Sequence, residues 1–370
     1  MKRILLFLTV CSFLGTIVCG TALAQDKKTD WTKGREWARG TLLNPNSVKM
    51  VDTKKYKKKP PYVFGFSNAG ITNCWTNFMQ REAQAAAEKY PNLIKKMYVT
   101  DAQGKANKQI NDIEDLLAKG IDILLIRAVT EAGLDPIISR LHKEGFPVVT
   151  ISKGIKSDNY VCFVAASNYS MGRIQMVWLA QMLKGKGNIA VLAGWAGAGS
   201  VVERKTGGFE ALAKYPGIKI LDRQYTQYSP SKGKEVMQAM IQSFGDKIDG
   251  VWCDSGCQAQ GAIEALHAAG IKVPITGDPT NGFLTRAVKW DYDICAPGYP
   301  VTMGADAVDI GLSILQGNPV PFRYNAARMI LARPNTTDII ADMPLEEAAA
   351  MDRPDAWFPD HTLPEKWLPK

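Results

Sequence analysis

The chain has 370 residues, 46% of them hydrophobic and 22% charged, with 32 glycines, 20 prolines and a formal net charge of +9. This is globular composition, which excludes disordered, collagen-like and coiled-coil chains, and the length suits two domains that each bury a core. The charge is local: residues 1–24 carry +2, residues 25–61 hold eleven basic against four acidic residues, and residues 62–370 balance to zero.

In chain order, Lys2 and Arg3, the apolar run from Ile4 to Val18 and the triplet Ala22-Leu23-Ala24 are arranged as a secretory signal cleaved after Ala24. The apolar run, about 15 residues, falls short of the roughly 20 a membrane-spanning helix needs. Residues 25–61 read as a basic extension ending in Lys54-Lys55-Tyr56-Lys57-Lys58-Lys59-Pro60-Pro61. It is expected to be a solvated tether, with Trp31 and Trp37 packing on something, and export argues against nucleic acid as a partner.

From Tyr62 onward, short apolar runs alternate with helix-period segments. Strands are predicted at Tyr62–Ser67, Leu93–Val99, Ile121–Ile126, Pro147–Ile151, Tyr160–Val164, Gly187–Leu192, Ile218–Tyr225, Gly250–Cys253, Lys272–Thr276 and Tyr292–Ala296. Helices are predicted at Trp75–Tyr90, Ala106–Lys119, Leu134–Glu144, Met171–Lys184, Arg204–Lys214, Ser231–Phe244, Gln258–Ala269, Gly282–Lys289 and Val301–Gln316. Runs such as Ile123-Leu124-Leu125-Ile126 are continuous rather than alternating, as in parallel strands covered on both faces. The fold class is therefore α/β, with two doubly wound parallel-sheet lobes and a binding crevice at the carboxyl ends of the strands. The tail from Pro344 reads as a coil laid over a lobe.

Without Cys11 and Cys19 of the leader, Cys74, Cys162, Cys253, Cys257 and Cys295 remain, an odd number that leaves at least one free thiol. Cys253 and Cys257 stand too far apart in sequence for a redox C-x-x-C. His142, His267 and His361 have no ligand-spaced partners, so zinc and a Ser-His-Asp triad have little support. The loop Gly194-Trp195-Ala196-Gly197-Ala198-Gly199-Ser200 lacks the third glycine of a dinucleotide fingerprint, because Val202 occupies that place. No cofactor and no metal are expected.

Several segments resemble the ribose-binding-type periplasmic sugar-binding proteins in order and spacing. They are Gly65-Phe66-Ser67-Asn68 with Asn73-Cys74-Trp75, Asp112 to Leu117 with Gly120 to Ile126, Gly145 to Ile151, Ala166-Ser167-Asn168 with Gly172, Gly208 to Leu212 with Tyr215 to Lys219, and Gly261 to Leu266 with Ala269-Gly270. The resemblance covers about residues 62–325. It implies a type I periplasmic binding protein with three crossings between the lobes, near Ala166–Ser167, Pro297–Gly298 and Asn325–Ala326. One lobe would comprise 62–166 plus 298–326, and the other 167–297 plus 327–370. It further implies a periplasmic, monomeric substrate-binding component that delivers a sugar or sugar-like molecule to an ABC transporter permease.

Ligand positions carried over from that resemblance are Asn73 and Trp75 after the first strand, and Arg127, where the family usually has an amide. Ser152 and Lys153 stand where an Asp-Arg pair is usual. Arg204 and Lys205 occupy the later helix, Asp254 and Ser255 follow Cys253, and Asp278 is kept, while the hinge glutamine aligns with Gly298. Two site chemistries stay open. Gaining Arg127 and losing an aspartate to Ser152 favours an acidic sugar or sugar phosphate, since a planar guanidinium suits a carboxylate. Alternatively, Arg127 and Lys153 pair with Asp254 and Asp278 around a neutral sugar. Trp195 and Trp252 are either stacking walls or lobe packing. Rival functions are a sensory binding protein for a membrane receptor and an exported sugar-modifying enzyme using Asp254 and Asp278.

Overall fold

The computed structural model describes residues 49–326, 330–339, 341–342 and 344–349. The leader, Trp31, Trp37, His361 and the tail beyond residue 349 lie outside the described residues.

Strands in chain order are β1 (Met50–Val51), β2 (Tyr62–Asn68), β3 (Ile94–Asp101), β4 (Ile123–Arg127), β5 (Val148–Ile151), β6 (Cys162–Ala165), β7 (Lys186–Ala193), β8 (Gly217–Tyr225), β9 (Gly250–Cys253), β10 (Ile275–Thr276), β11 (Ile294–Pro297), β12 (Val320–Pro321), β13 (Arg323–Asn325) and β14 (Ile330–Arg333). The helices are α1 (Cys74–Glu88), α2 (Ala106–Ala118), α3 (Glu131–Lys143), α4 (Asn168–Met182), α5 (Gly199–Leu212), α6 (Pro230–Phe244), α7 (Gly256–Ala268), α8 (Asn281–Lys289), α9 (Met303–Gln316) and α10 (Leu345–Ala348). Each strand and helix predicted from residue 62 onward is present. The α5 helix starts five residues earlier than its apolar spacing suggested, because Gly199 and Ser200 of the glycine loop already belong to its first turn.

Two six-stranded sheets form, in the orders β13-β6-β5-β4-β2-β3 and β14-β11-β10-β9-β7-β8. All pairings in the first are parallel; in the second only β14, against β11, is antiparallel. The continuous apolar runs follow from burial on both faces. In β4, Ile123 and Leu125 join the core beneath α1 and α9, whereas Leu124 and Ile126 join the core beneath α2 and α3. In the second sheet, Val251 faces α6 to α8 and Trp252 faces α4 and α5. Trp252 is thus lobe packing, wholly buried against Phe209, while Trp195 is half exposed.

The chain leaves the first sheet after β6, returns to it after β11 through α9 and β13, and leaves again for β14. The parallel strands place their carboxyl ends on one rim of each sheet.

Two expectations need correction. Residues 49–61 are not a solvated tether. β1 pairs with β12, Tyr56 is buried in the first lobe's core, Thr53 Oγ1 donates to the Asn318 carbonyl at 2.5 Å, and Lys58 reaches Asp122 at 2.8 Å. A basic run reads as solvated because its side chains are charged, yet strand pairing, one tyrosine and side-chain bonds from Thr53 and Lys58 dock it. The segment after Pro344 begins not as coil but as the short helix α10, with Leu345 and Ala348 buried in the second lobe's core.

Candidate functional site

The rim of the first sheet supplies Arg127, the last residue of β4, and Ser152 and Lys153, which follow β5. Asn68 of β2 is the register partner of Arg127. A buried Gln109 on α2 fixes this rim: its Nε2 donates to the Arg127 carbonyl at 2.9 Å, and its Oε1 accepts from Val129 N at 2.8 Å. Ser152 has φ +60°, a left-handed conformation that costs a non-glycine residue about 1–2 kcal/mol, and Ser152 N donates to the Val164 carbonyl at 2.8 Å.

Trp75 sits in the first turn of α1, half-buried. Its Nε1 donates to the Tyr299 carbonyl at 2.8 Å, the two rings lie 5.4 Å apart, and the Arg127 guanidinium stands 5.8 Å from the indole. Asn73 is the cap of that helix: its side chain accepts from Thr76 N, and the Thr76 hydroxyl answers it. Its side-chain oxygen is therefore engaged by the Thr76 amide, as in helix caps of this type.

The second sheet's rim supplies Asp254 and Ser255 after β9, and Asp278 after β10, with Arg204 reaching in from α5. Arg204 is buried. Its Nε donates to Asn168 Oδ1 at 2.9 Å, and one terminal nitrogen donates to the Asp254 carbonyl at 2.6 Å and stands 3.9 Å from Asp278 Oδ2. Helices α4 and α5 approach closely enough for this because a Cβ at Gly172 would collide with the Arg204 carbonyl, and one at Gly207 with the Tyr169 carbonyl. Asp278 Oδ1 accepts from Ser255 Oγ at 3.0 Å and from Gly256 N. Asp254 accepts from Gly194 N at 3.2 Å and from Gln258 Nε2. Lys205 lies a hundred degrees round the helix from Arg204 and shares none of these contacts.

Charge at the site is uneven. Burial pushes the Asp254 carboxyl up to about 6, with Arg204 opposing the shift. Lys153 falls to about 8, first through burial and then through the neighbouring Arg127 charge, with Glu131 partly offsetting both. Burial likewise brings Arg127 down to about 10. The pairing of Arg127 and Lys153 with Asp254 and Asp278, one of the two sequence expectations, does not occur: Arg204 and neutral donors hold the Asp278 carboxylate, and neutral donors hold that of Asp254. Among the described residues neither Arg127 nor Lys153 forms a salt bridge, and Arg127 Nε is buried without an acceptor.

Tyr299, unassigned from sequence, links the two rims. Its hydroxyl lies 3.2 Å from Ser152 Oγ and 3.4 Å from Asn168 Nδ2, and its ring is 5.3 Å from the Arg204 guanidinium. Its place just past Pro297-Gly298, on a crossing segment, was the available signal. Asn168 was quoted for the resemblance but not assigned to the site. The two described histidines stay away: His267 stacks on Trp290 at 4.2 Å, and His142 lies in the last turn of α3. Among the described residues no cluster of His, Cys, Asp and Glu is arranged to hold a metal.

Comparison with known proteins gives a consistent picture. The family described as periplasmic binding protein domain matches residues 64–319. The galactofuranose-binding protein of Escherichia coli (strain K12) is 31% identical over 264 residues, covering 70% of this chain and 79% of that protein. The ribose import binding protein of Bacillus subtilis (strain 168) is 26% identical over 264 residues, covering 71% and 84%. Among solved structures, the arabinose ABC transporter's periplasmic binding protein from Shewanella sp. ANA-3, bound to alpha and beta-L-arabinofuranose, superposes with a TM-score of 0.65 at 26% identity over 73% of this chain and 91% of that one.

Proposed function

The chain belongs to the periplasmic binding protein family, and from that premise we propose that it captures a sugar bearing a carboxylate or phosphate between its lobes for an ABC importer. The site takes its groups from the strand ends of both sheets. A ligand touching both rims favours the closed arrangement by the contacts it gains there. Trp75 offers an apolar face to the C–H side of a ring. Asp278 and Ser255 from one rim and Arg127 and Lys153 from the other offer polar groups. A micromolar constant corresponds to about −8 kcal/mol, which a stacked ring and several charge-assisted hydrogen bonds supply after ordering costs.

The observation that carries the acidic preference is the unequal pairing. The Asp278 carboxylate is held by Arg204, Ser255 and Gly256 and that of Asp254 by Gly194 and Gln258. Arg127 and Lys153 form no salt bridge among the described residues, and Lys153 feels an acid, Glu131, only without forming one. A buried donor with no acceptor costs about 1–3 kcal/mol, a cost that an anionic ligand oxygen at Arg127 Nε removes. The same pairing argues for binding over turnover, because Asp254 and Asp278 are engaged rather than free to act as acid and base. The family's name and the reading of residues 1–24 as a leader support the periplasm as the place of work, and a permease as the partner.

Thermal-shift screening of the purified mature chain tests this directly, with neutral aldoses and polyols, aldonic and uronic acids, and sugar phosphates. Stabilisation by acids above their neutral counterparts is expected. Stabilisation by neutral pentoses alone defeats the acidic preference, and no stabilisation by any member defeats the sugar-binding reading.

A further inference from the structure

Cys74 and Cys257 lie 183 positions apart in sequence, on helices that flank different sheets, yet their sulphurs are 3.4 Å apart. Both stand in the first turn of a helix, Cys74 opening α1 and Cys257 second in α7. Helix amino termini favour thiolates through their unpaired N–H groups and dipole. A disulfide needs its sulphurs at about 2.0 Å, and this pair already stands in van der Waals contact. The remaining thiols of the described chain, Cys162, Cys253 and Cys295, are buried within the lobes, and burial raises each of them.

We propose that Cys74 and Cys257 are a redox modification site, whose disulfide latches the two lobes shut across the ligand cleft. The two thiols are unequal. Cys74 is half-buried and held below the usual thiol value by its hydrogen bond with Cys257, whereas Cys257 is buried and raised by that same contact. Cys74, the more accessible of the two, is accordingly the attacking sulphur and Cys257 the resolving thiol. The oxidant is a disulfide, either a low-molecular-weight one or that of a dithiol oxidoreductase. Cys74 Sγ attacks one of its sulphurs, forming a mixed disulfide and releasing one thiolate. The Cys257 thiol then gives its proton to water, and its sulphur attacks Cys74 Sγ, displacing the second thiol. Two protein thiols lose two electrons and two protons, and one disulfide becomes two thiols.

In the latched form ligand exchange stops, because the polar groups of the two rims cannot part. Reduction restores opening. The chemistry is independent of which sugar binds; its operation in the cell rests on the export read from residues 1–24, since disulfides persist outside the cytoplasm.

The test incubates the full chain, without sugar, in glutathione buffers from reducing to oxidising, then alkylates it and maps its peptides by mass spectrometry. The expected product is an intramolecular peptide pair joining Cys74 to Cys257, reversed by dithiothreitol. It should vanish in Cys74→Ser and in Cys257→Ser, and persist in Cys253→Ser. A second readout is hydrogen exchange at the carboxyl ends of the strands, where oxidation should slow opening in the wild type and leave Cys74→Ser unchanged. Full alkylation of Cys74 and Cys257 after oxidation overturns the proposal, as does capture of either only as a glutathione adduct or in a link to another thiol. Because no sugar is present, failure here leaves the sugar-binding reading standing, and failure of the sugar screen leaves this one standing.

Discussion

The guanidinium carbon of Arg204, carried by a helix of the second lobe, lies 5.3 Å from the ring centroid of Tyr299, on the segment where the chain re-enters the first lobe. With the Tyr299 hydroxyl 3.2 Å from Ser152 Oγ, one side chain spans both rims. Tyr299→Ala is expected to weaken ligand binding at least tenfold, measured by calorimetry. Tyr299→Phe keeps the ring and loses only the hydroxyl contacts, about 1 kcal/mol, so its affinity should fall about fivefold. Equal losses in the two variants would remove the ring from the site.

Arg204 is the buried cation beside two buried acids, Asp254 and Asp278. Arg204→Met leaves Asp254 and Asp278 without their cation, which should cost on the order of 3–5 kcal/mol in urea unfolding. Adding Asp278→Asn to that variant should recover a measurable part of the loss, since coupled residues are non-additive. Strict additivity would show that Arg204 acts through packing alone.

Lys153 and Asp254 set the pH response. Burial and Arg127 depress Lys153 to about 8, so the folded state accepts this proton later than the unfolded chain. Stability from this group therefore falls as pH drops toward 8 and is flat below it. Asp254 is raised to about 6, so its contribution falls as pH rises from the usual carboxylate range to 6 and is flat above. An anion beside Lys153 favours its charged form. Binding of a sugar acid above pH 8 should therefore take up protons, and affinity should decline as pH rises further. Calorimetry in buffers of different ionisation enthalpy reads the uptake, and Lys153→Met should abolish it.

Gly172 permits the close approach of α4 and α5. In Gly172→Ala the new methyl meets the Arg204 carbonyl, and overpacking of this kind costs about 1–3 kcal/mol. Affinity should fall with stability, because the shifted helix carries Arg204 away from Asp278. Ala180→Gly, elsewhere on α4, should lower stability and leave affinity unchanged. Unaltered binding in Gly172→Ala would mean that this helix contact does not position the site.

Much of this was legible in the sequence, because apolar runs of four or five residues between helix-period segments have few other solutions than covered parallel strands. The short strands β1, β12, β13 and β14 were not, since they lie outside the strand–helix alternation and pair only through tertiary placement. Residues such as Arg127, Asp254 and Asp278 could be named because the resemblance and the position along a parallel strand are both sequence properties, and the structure places them at strand ends. Tyr299 and the meeting of Cys74 with Cys257 were missed, because both depend on how one lobe faces the other. Asn73 and Lys205, named through the resemblance, stand apart from the other groups: Asn73 Oδ1 caps its helix, and Lys205 shares none of the Arg204 contacts.

Small-angle scattering of the reduced wild-type protein, alone and saturated with the sugar acid that stabilises it most, tests the clamping mechanism most directly. The radius of gyration should fall on saturation, and Trp75→Ala at the same ligand concentration should keep the larger value. An unchanged radius in the wild type, with calorimetry confirming that the ligand is bound, would contradict closure of two lobes around it.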